Sequence, residues 1–556
     1  MLTKSSFSFL LILLAINICL AQVPPPTLLQ GEYWTQLFSA GYDYQSNGSV
    51  RYIVQNPSNP NGLCAILMAQ EDSISPPNIN RYVFFTYSTN GGKNWTKNVV
   101  DNSATYGYPY IDLKNGVPVI AQHKSSILGT FVFSDASFGS SVFSLLGTFP
   151  TVPNPVIWPH IGVSSNGNII VAASTSPGFA GHYSIFNGTS WSTPLTELTV
   201  TGGPSGQFSI ESGLNSLMFI FSSDYPTPPG LGYGTRLWTS TNNGLNFILQ
   251  SGSNAPPFFL MSGSDTLADF IDGGRQGIYV GNEIHLVYSV YATNSEGISP
   301  FKAWFKKAKI VHWSPSTGID TVAGRYNMPN MTDTLLHALV TPVCQPSIGY
   351  FNSLIYVTFT AFLRGNKQIV NNGDTVNAGE IFLTYSIDNG NTWTTPANIT
   401  NTPFIEEKHS SVIRRFISPP NDSLGVYYLR DLKAGGWVNV AAWGKAPVYG
   451  IYKKLGPSVI GIKQDLEIVR EYKLYQNYPN PFNPTTTISY YLERSGLVTL
   501  KVFNILGEEV TVLVNGYQTK GAKEINFDAS NLPSGVYFYT LTTGDFKDTK
   551  VMVLIK

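Results

Sequence analysis

The sequence predicts an all-β protein in two parts, a long array of short repeats followed by a small antiparallel sandwich. Three observations carry that prediction. Gly, Pro, Asn, Ser, Thr and aromatic residues dominate the 556-residue chain, and no long segment shows the 3.6-residue apolar period of an amphipathic helix. Turn segments of one spacing recur between β-runs over residues 30 to 455. From residue 472 onward, short alternating runs follow one another with Gly, Pro and Asn at the breaks.

The chain opens with Lys4 before an apolar run from Phe7 to Leu20, and Cys19-Leu20-Ala21 ends in a small residue. Residues 1–21 therefore read as a secretory signal peptide. The alternative, a lipoprotein signal with Cys19 as the lipid acceptor, lacks the small residues expected just before it. No later run reaches the roughly 18 apolar residues of a membrane helix, so no integral membrane segment is expected. Lys plus Arg equal Asp plus Glu at 34 each, and only 12% of residues are charged. No basic field is present to hold nucleic acid or an anionic membrane. Cys64 and Cys344 lie far apart after the signal, which suits two buried thiols better than a disulfide framework.

Three segments between residues 22 and 460 share one pattern. They are Ser88-Thr89-Asn90-Gly91-Gly92-Lys93-Asn94-Trp95, Ser240 to Phe247 with Asn242 and Gly244, and Ser386 to Trp393 with Asp388 and Gly390. The Asp or Asn can accept bonds from turn amides, the Gly supplies a positive φ, and the terminal aromatic folds back over the hairpin. Ser184 to Trp191 is a degenerate copy with Phe186 at the acid position, and Ser314 to Gly318 a fainter echo. These segments resemble the Asp-boxes, or bacterial neuraminidase repeats, of sialidase-like β-propellers. The resemblance implies a propeller over 22–460 whose boxes (Ser88, Asn90, Gly92, Trp95; Ser240, Asn242, Gly244, Phe247; Ser386, Asp388, Gly390, Trp393) are structural.

A second repeat supports a count. Tyr108-Pro109-Tyr110-Ile111, Trp158-Pro159-His160-Ile161 and Gln345-Pro346-Ser347-Ile348 each lead through a turn to an apolar run, and related runs start near Arg51, Phe208, Ile278 and Ser411. Seven starts at about 50 to 70 residues suit four short strands per blade. Seven blades are favoured and six, the sialidase number, is the alternative. The segment from Glu32 to Val50 is a candidate to close the ring.

The sialidase resemblance implies an arginine cluster for the substrate carboxylate, a Tyr nucleophile paired with Glu, and an Asp acid/base. The Arg-Ile-Pro signature of that family is missing; Arg51-Tyr52-Ile53 stands in its place. Weak catalytic candidates are Arg51, Glu211 and Glu283, with further arginines at Arg81, Arg275, Arg364 and Arg414. With 31 tyrosines a spare one is always at hand, so the set is not specific. A non-catalytic propeller that binds an extracellular glycan or protein is favoured, and an exo-acting glycoside hydrolase is the alternative. Asp265 to Gly274 lacks the ligand spacing of a calcium loop, the seven histidines show no metal spacing, and neither metal nor cofactor is expected. Tyr108 and Trp158 occupy equivalent repeat positions; packing between blades is favoured for them, and stacking on sugar rings at the axial face is the alternative.

After a linker over 461–471, residues 472–556 form the second part. Gln476-Asn477-Tyr478-Pro479-Asn480-Pro481-Phe482-Asn483-Pro484 places three prolines within six residues and forces an extended entry. Alternating runs then lie at Thr487–Leu492, Leu497–Phe503, Val510–Val514, Glu524–Phe527, Val536–Leu541 and Lys550–Lys556. This opening, with Gly507-Glu508, Gly535-Val536-Tyr537 and the apolar-basic end, resembles the type A C-terminal sorting domain of the type IX secretion system. The alternative is an ordinary Ig-like binding module. The resemblance implies export across the outer membrane, recognition by the type IX translocon and its sortase, and surface attachment or release.

Overall fold

The computed structural model describes residues 28–38, 50–70, 81–124, 128–151, 154–176, 180–193, 195–198, 208–224, 234–257, 260–262, 265–269, 274–292, 308–325, 327–332, 335–337, 340–414, 423–436, 441–444, 446–456, 472–477, 479–492, 496–518, 521–544 and 546–556. The expected signal peptide and the 461–471 linker lie outside them. The chain divides into two compact units, 1–461 and 462–556. No α-helix occurs among the described residues.

The first unit is a succession of antiparallel sheets. The first sheet holds β2 (Ile53–Gln55), β3 (Leu63–Gln70), β4 (Arg81–Ser88) and β5 (Thr96–Val99), with β1 (Glu32–Phe38) reserved for the last sheet. The second holds β6 (Tyr106–Lys114), β7 (Val117–Lys124), β8 (Gly129–Asp135) and β9 (Phe143–Leu145). The third holds β10 (Val156–Val163), β11 (Ile169–Thr175), β12 (Gly181–Phe186) and β13 (Thr196–Glu197). The fourth holds β14 (Phe208–Ser212), β15 (Met218–Asp224), β16 (Gly234–Ser240) and β17 (Ile248–Leu249).

In the fifth sheet the hairpin of β18 (Leu260–Ser262) and β19 (Asp265–Asp269) joins β20 (Arg275–Val280), β21 (Glu283–Ala292), β22 (Lys309–Ser314) and β23 (Gly318–Gly324). Both β19 and β20 pair with β21, one after the other along its length. The sixth sheet holds β24 (Val343–Phe351), β25 (Leu354–Ile369), β26 (Thr375–Ser386) and β27 (Ala397–Asn398). The seventh holds β28 (Glu406–Val412), β29 (Leu424–Asp431) and β30 (Val448–Leu455), with β1 as its outer strand.

The inner strands β6, β10, β14, β20, β24 and β28 touch in succession, and β1 touches the first sheet. Tyr52 N donates to Ser411 Oγ at 3.2 Å, which joins the lead into β2 to β28. The sheets therefore close a ring, and the unit is a β-propeller. Its core lies between sheets: Phe85, Ile111, Ile120, Ile161 and Tyr427 belong to one buried cluster that runs through four of them.

The closing strand is held by charge as well as by its ladder with β30. Glu32 is 5% exposed and accepts from both terminal nitrogens of Arg430 at 3.0 Å, from Lys453 Nζ at 3.3 Å and from Tyr428. Burial pushes the Glu32 carboxyl up, but Arg430, with the Tyr428 hydroxyl and the Leu29 amide, outweighs it and holds the group below its ordinary value.

The second unit is a two-sheet sandwich. One sheet orders β31 (Lys473–Leu474), β32 (Thr485–Leu492) and β35 (Gly521–Asp528); the other orders β34 (Glu509–Gln518), β33 (Gly496–Phe503), β36 (Gly535–Thr543) and β37 (Phe546–Leu554). Alternate residues of β33 and β36, including Val498, Leu500, Val502, Tyr537, Tyr539 and Leu541, point into its core. The proline-rich opening is pinned by Asn477: its N donates to Tyr539 Oη at 2.7 Å and its Nδ2 to Thr486 Oγ1 at 3.0 Å. Phe482 docks on β37, donating its N to Val553 O at 2.9 Å. Of the expected motif residues, Pro479, Asn480, Pro481, Asn483 and Pro484 line this docked segment, Gly507 (φ 79°) turns β33 into β34, and Gly535 starts β36.

Candidate functional site

The inner strands repeat one irregularity. In β6, β10, β24 and β28 the ladder slips between Gly107 and Tyr110, Ile157 and His160, Cys344 and Ser347, and Lys408 and Ser411. At each slip one residue has a left-handed backbone: Tyr108 (φ 51°), Trp158 (φ 55°), Gln345 (φ 55°) and His409 (φ 56°). These are β-bulges, which bend a strand and re-aim its side chains. For bulky residues such a backbone costs about 1–3 kcal/mol, and the proline after the first three excludes a regular ladder there. The Tyr-Pro-Tyr, Trp-Pro-His and Gln-Pro-Ser repeats were the sequence signal for this geometry.

Four sheets meet across the channel that the inner strands surround. Arg51, just ahead of β2, places Nη1 2.6 Å from Asp112 Oδ1 on β6 and Nη2 2.6 Å from Glu211 Oε2 on β14. Arg414, just beyond β28, forms an ion pair with the same Glu211 oxygen and donates to Tyr110 Oη at 2.9 Å. The Arg51 guanidinium also lies 5.5 Å from the Tyr110 ring centroid. Side-chain exposure is 5% for Arg51, 7% for Arg414, 8% for Glu211 and 18% for Asp112. Burial works against the Arg51 charge, but Asp112 and Tyr110 together outweigh it and hold the group above its ordinary value. Arg414 is pushed down to about 10 by burial and by Arg51.

Of the three candidate residues, the structure thus brings Arg51 and Glu211 together. Glu283 sits elsewhere, at the start of β21, where its carboxylate accepts from Ser316 N at 3.0 Å and Asn389 Nδ2 at 3.1 Å. Arg275 is buried near His160, which burial pushes down to about 3. Arg414, one of the four further arginines, joins Arg51 and Glu211, whereas Asp112 and Tyr110 have no sequence signal that ties them to the site, because the ion pairs and hydrogen bonds link residues 61 to 304 positions apart along the chain and no local spacing encodes them.

The turns with shared spacing adopt one geometry. Gly92, Gly244 and Gly390 donate their N to Ser88, Ser240 and Ser386 Oγ at 2.9, 3.0 and 2.7 Å. The carboxylate or amide oxygen of Asn90, Asn242 and Asp388 accepts from the serine and from the amide four residues on. Each terminal aromatic then reaches the preceding sheet: Trp95 lies 5.6 Å from Tyr452, Phe247 5.1 Å from Tyr183 and Trp393 5.3 Å from His312. The contact is across sheets, so these aromatics are half-buried. Ser184 differs, donating to Ser192 O at 3.0 Å.

His312 belongs to a pair that sequence spacing concealed. His285 Nδ1 and His312 Nε2 are 2.9 Å apart on neighbouring strands of the fifth sheet. Burial pushes His285 to about 4 and His312 to about 3, so both are neutral near pH 7. Cys64 and Cys344 are buried, unbridged thiols. Asp265 to Asp269 forms β19, whereas 270–273 lie outside the described residues. No cluster of three His, Cys, Asp or Glu suited to a metal occurs among the described residues, and no described helix is long and apolar enough to cross a membrane.

Solved structures with similarity to the chain include polysaccharide lyase Uly1 (TM-score 0.42, 11% identity, covering 79% of this chain and 95% of that one). The NanB sialidase from Streptococcus pneumoniae aligns with TM-score 0.38 and 11% identity over 77% of this chain and 71% of its own. A mutant Trypanosoma rangeli sialidase displaying trans-sialidase activity aligns with TM-score 0.37 and 10% identity over 95% and 89%. No curated protein sequence matches the chain. Residues 476–556 match the family described as the secretion system C-terminal sorting domain.

Proposed function

We propose that the chain is an exported, seven-bladed β-propeller, one blade per sheet, that binds an extracellular glycan or protein without hydrolysing it. The observation that carries this reading is the pairing inside the channel. Both terminal nitrogens of Arg51 are committed to Asp112 and Glu211, and Arg414 shares the same Glu211 oxygen. A carboxylate-gripping cluster needs guanidinium charge left over for the substrate, and a general base needs a carboxylate not already consumed by arginine. In this reading residues 1–21 direct export from the cytoplasm, 22–460 carry the ligand site, and 472–556 hand the protein to the type IX translocon and its sortase. The protein is then attached at the cell surface or released. The family match at 476–556 supports the last step.

A second reading, an exo-acting glycoside hydrolase, is favoured by one observation: two arginines, Glu211, Asp112 and Tyr110 converge at one place. A panel of fluorogenic glycosides and immobilised glycans, measured for both hydrolysis and retention on the full secreted chain, separates the two. Retention without turnover supports binding. Turnover of a sialoside that disappears in Arg51→Ala establishes the hydrolase and sinks the preferred reading.

A further inference from the structure

We infer that Tyr108 and Trp158 form the contact surface for a saccharide ring at the end of the channel opposite the Ser-Asn/Asp-Gly turns; this rests on the binding reading above and locates its site. Strand direction defines that end. β4 runs from Arg81 into the turn at Ser88, and β6 runs toward the turn at Asn115-Gly116, so Arg81 and the first residues of β6 and β10 lie at the other end. The ion-paired cluster around Glu211 lies toward the turn end, because Asp112 and Glu211 sit in the last residues of β6 and β14.

At the opposite end the two bulges hold aromatic side chains partly in solvent. Tyr108 and Trp158 are half-buried, while their neighbours Tyr106, Tyr110, Ile157 and Ile161 are buried. The two rings meet edge-on with centroids 6.3 Å apart. His123 stacks on Tyr108 at 4.6 Å, and the Arg81 guanidinium lies 5.6 Å from the same ring. Arg81 is itself aimed by a bond from its Nε to Tyr106 O at 2.9 Å. The strain of the bulges is spent on positioning these rings, which the ladder alone would have turned elsewhere.

The chemistry around the rings suits a sugar. Aromatic faces take up the C–H face of a pyranose, and a few fixed polar groups orient its hydroxyls. His123 is such a group: Trp158 N donates to its Nδ1 at 3.4 Å, so the neutral ring carries its proton on Nε2 and presents a donor. Burial keeps the ring neutral by pushing it down to about 3. The surface is two half-buried side chains beside a channel, far less than the roughly 800 Å² per partner of a stable protein interface. A saccharide matches that size.

The test uses the full secreted chain with a panel of immobilised oligosaccharides and intrinsic tryptophan fluorescence. At least one saccharide is retained by the native protein and shifts the fluorescence. Trp158→Ala weakens that affinity about tenfold or more, Trp158→Phe weakens it less, and Trp95→Phe leaves it unchanged. If Trp158→Ala does not fold, Trp158→Phe and His123→Gln carry the comparison. Equal affinity in native, Trp158→Phe and His123→Gln proteins overturns the site while leaving the binding reading intact. Retention of a protein but of no saccharide overturns the site and moves the binding reading to its protein alternative. Hydrolysis of the retained saccharide overturns the non-catalytic reading but not the site.

Discussion

Replacing Glu211 by Gln keeps the side chain's shape and removes one negative charge that two guanidiniums share. Arg51 retains Asp112 at 2.6 Å. Arg414 retains only neutral hydrogen-bond partners, Tyr110 Oη at 2.9 Å and Ile210 O at 3.5 Å, and the single Asp112 carboxylate, already bonded to Arg51, is left to offset both guanidiniums. Loss of a neutral hydrogen bond would cost about 1 kcal/mol, whereas removing one partner of a buried ion pair costs about 3–5 kcal/mol because an uncompensated charge is left behind. The larger figure applies, since both arginines are at most 7% exposed. Urea unfolding followed by tryptophan fluorescence should lower the propeller's transition by that amount. Glu211→Gln combined with Arg414→Met should recover most of it, because the stranded charge is gone. A loss under about 1 kcal/mol, or a double variant no more stable than the single, refutes the pairing as the reason these arginines are held.

Gly92→Ala and Gly390→Ala should each cost about 2–5 kcal/mol in thermal or urea unfolding, because φ is +87° and +90° and a Cβ would sit 2.2 Å from the Tyr452 ring and 2.3 Å from His312. Gly188→Ala, at φ +109° with nothing near its Cβ, should cost only the backbone part, and equal losses at all three positions would exclude close approach as the cause. Stability should fall in acid. Burial holds His123, His160 and His312 at about 3, His285 at about 4 and His409 well below its ordinary value. The unfolded chain therefore binds more protons below about pH 6.5, and each group removes up to about 1.4 kcal/mol per pH unit on the way down. Glu407, which burial pushes up to about 8, acts with the opposite sign between pH 8 and its ordinary carboxylate range, and Asp320, which burial also raises, acts in the same sense in acid. Melting temperatures flat from pH 6.5 to 4.5 would refute the histidine argument. Deleting 472–556 should leave the protein in the periplasm with the propeller folded, and normal amounts of truncated protein at the cell surface would contradict the sorting role.

Local rules exposed the strands and turns, and long-range contacts stayed hidden. The alternation of Leu497 to Phe503 and the spacing of Ser386, Asp388, Gly390 and Trp393 are written within eight residues, so periodicity and turn chemistry expose them. Glu32 was placed in a closing segment by position, but its carboxylate could not be matched to Arg430, almost 400 residues away, from either neighbourhood. The candidate site shows the same division. Arg51 stands out by its repeat position, Glu211 by lying near a strand and Arg414 only as one of four further arginines, while Asp112 acquires meaning when separate sheets curve into one ring and the His285–His312 pair when two strands of one sheet come into register. Glu283 was attractive as a carboxylate near a strand, yet its partners are a turn in its own sheet and Asn389 of the next. A carboxylate's distance from the channel is a property of the sheet end it occupies, which a short window does not record.

The way β30 is sandwiched gives the two edges of the ring unequal tolerance to cutting. β30 is hydrogen-bonded to β29 on one edge and to β1 on the other, and its last paired residue is Leu455. A protease acting beyond that residue severs no rung of the last sheet among the described residues, so β30 keeps both β29 and β1. Trimming the other way, past Glu32, strips the outer edge of β30 and leaves Arg430 and Lys453 facing each other without the carboxylate between them. The last sheet therefore depends on chain before Leu455 and on no described rung after it, and residues 476–556, which match the sorting-domain family, come after that point in the sequence.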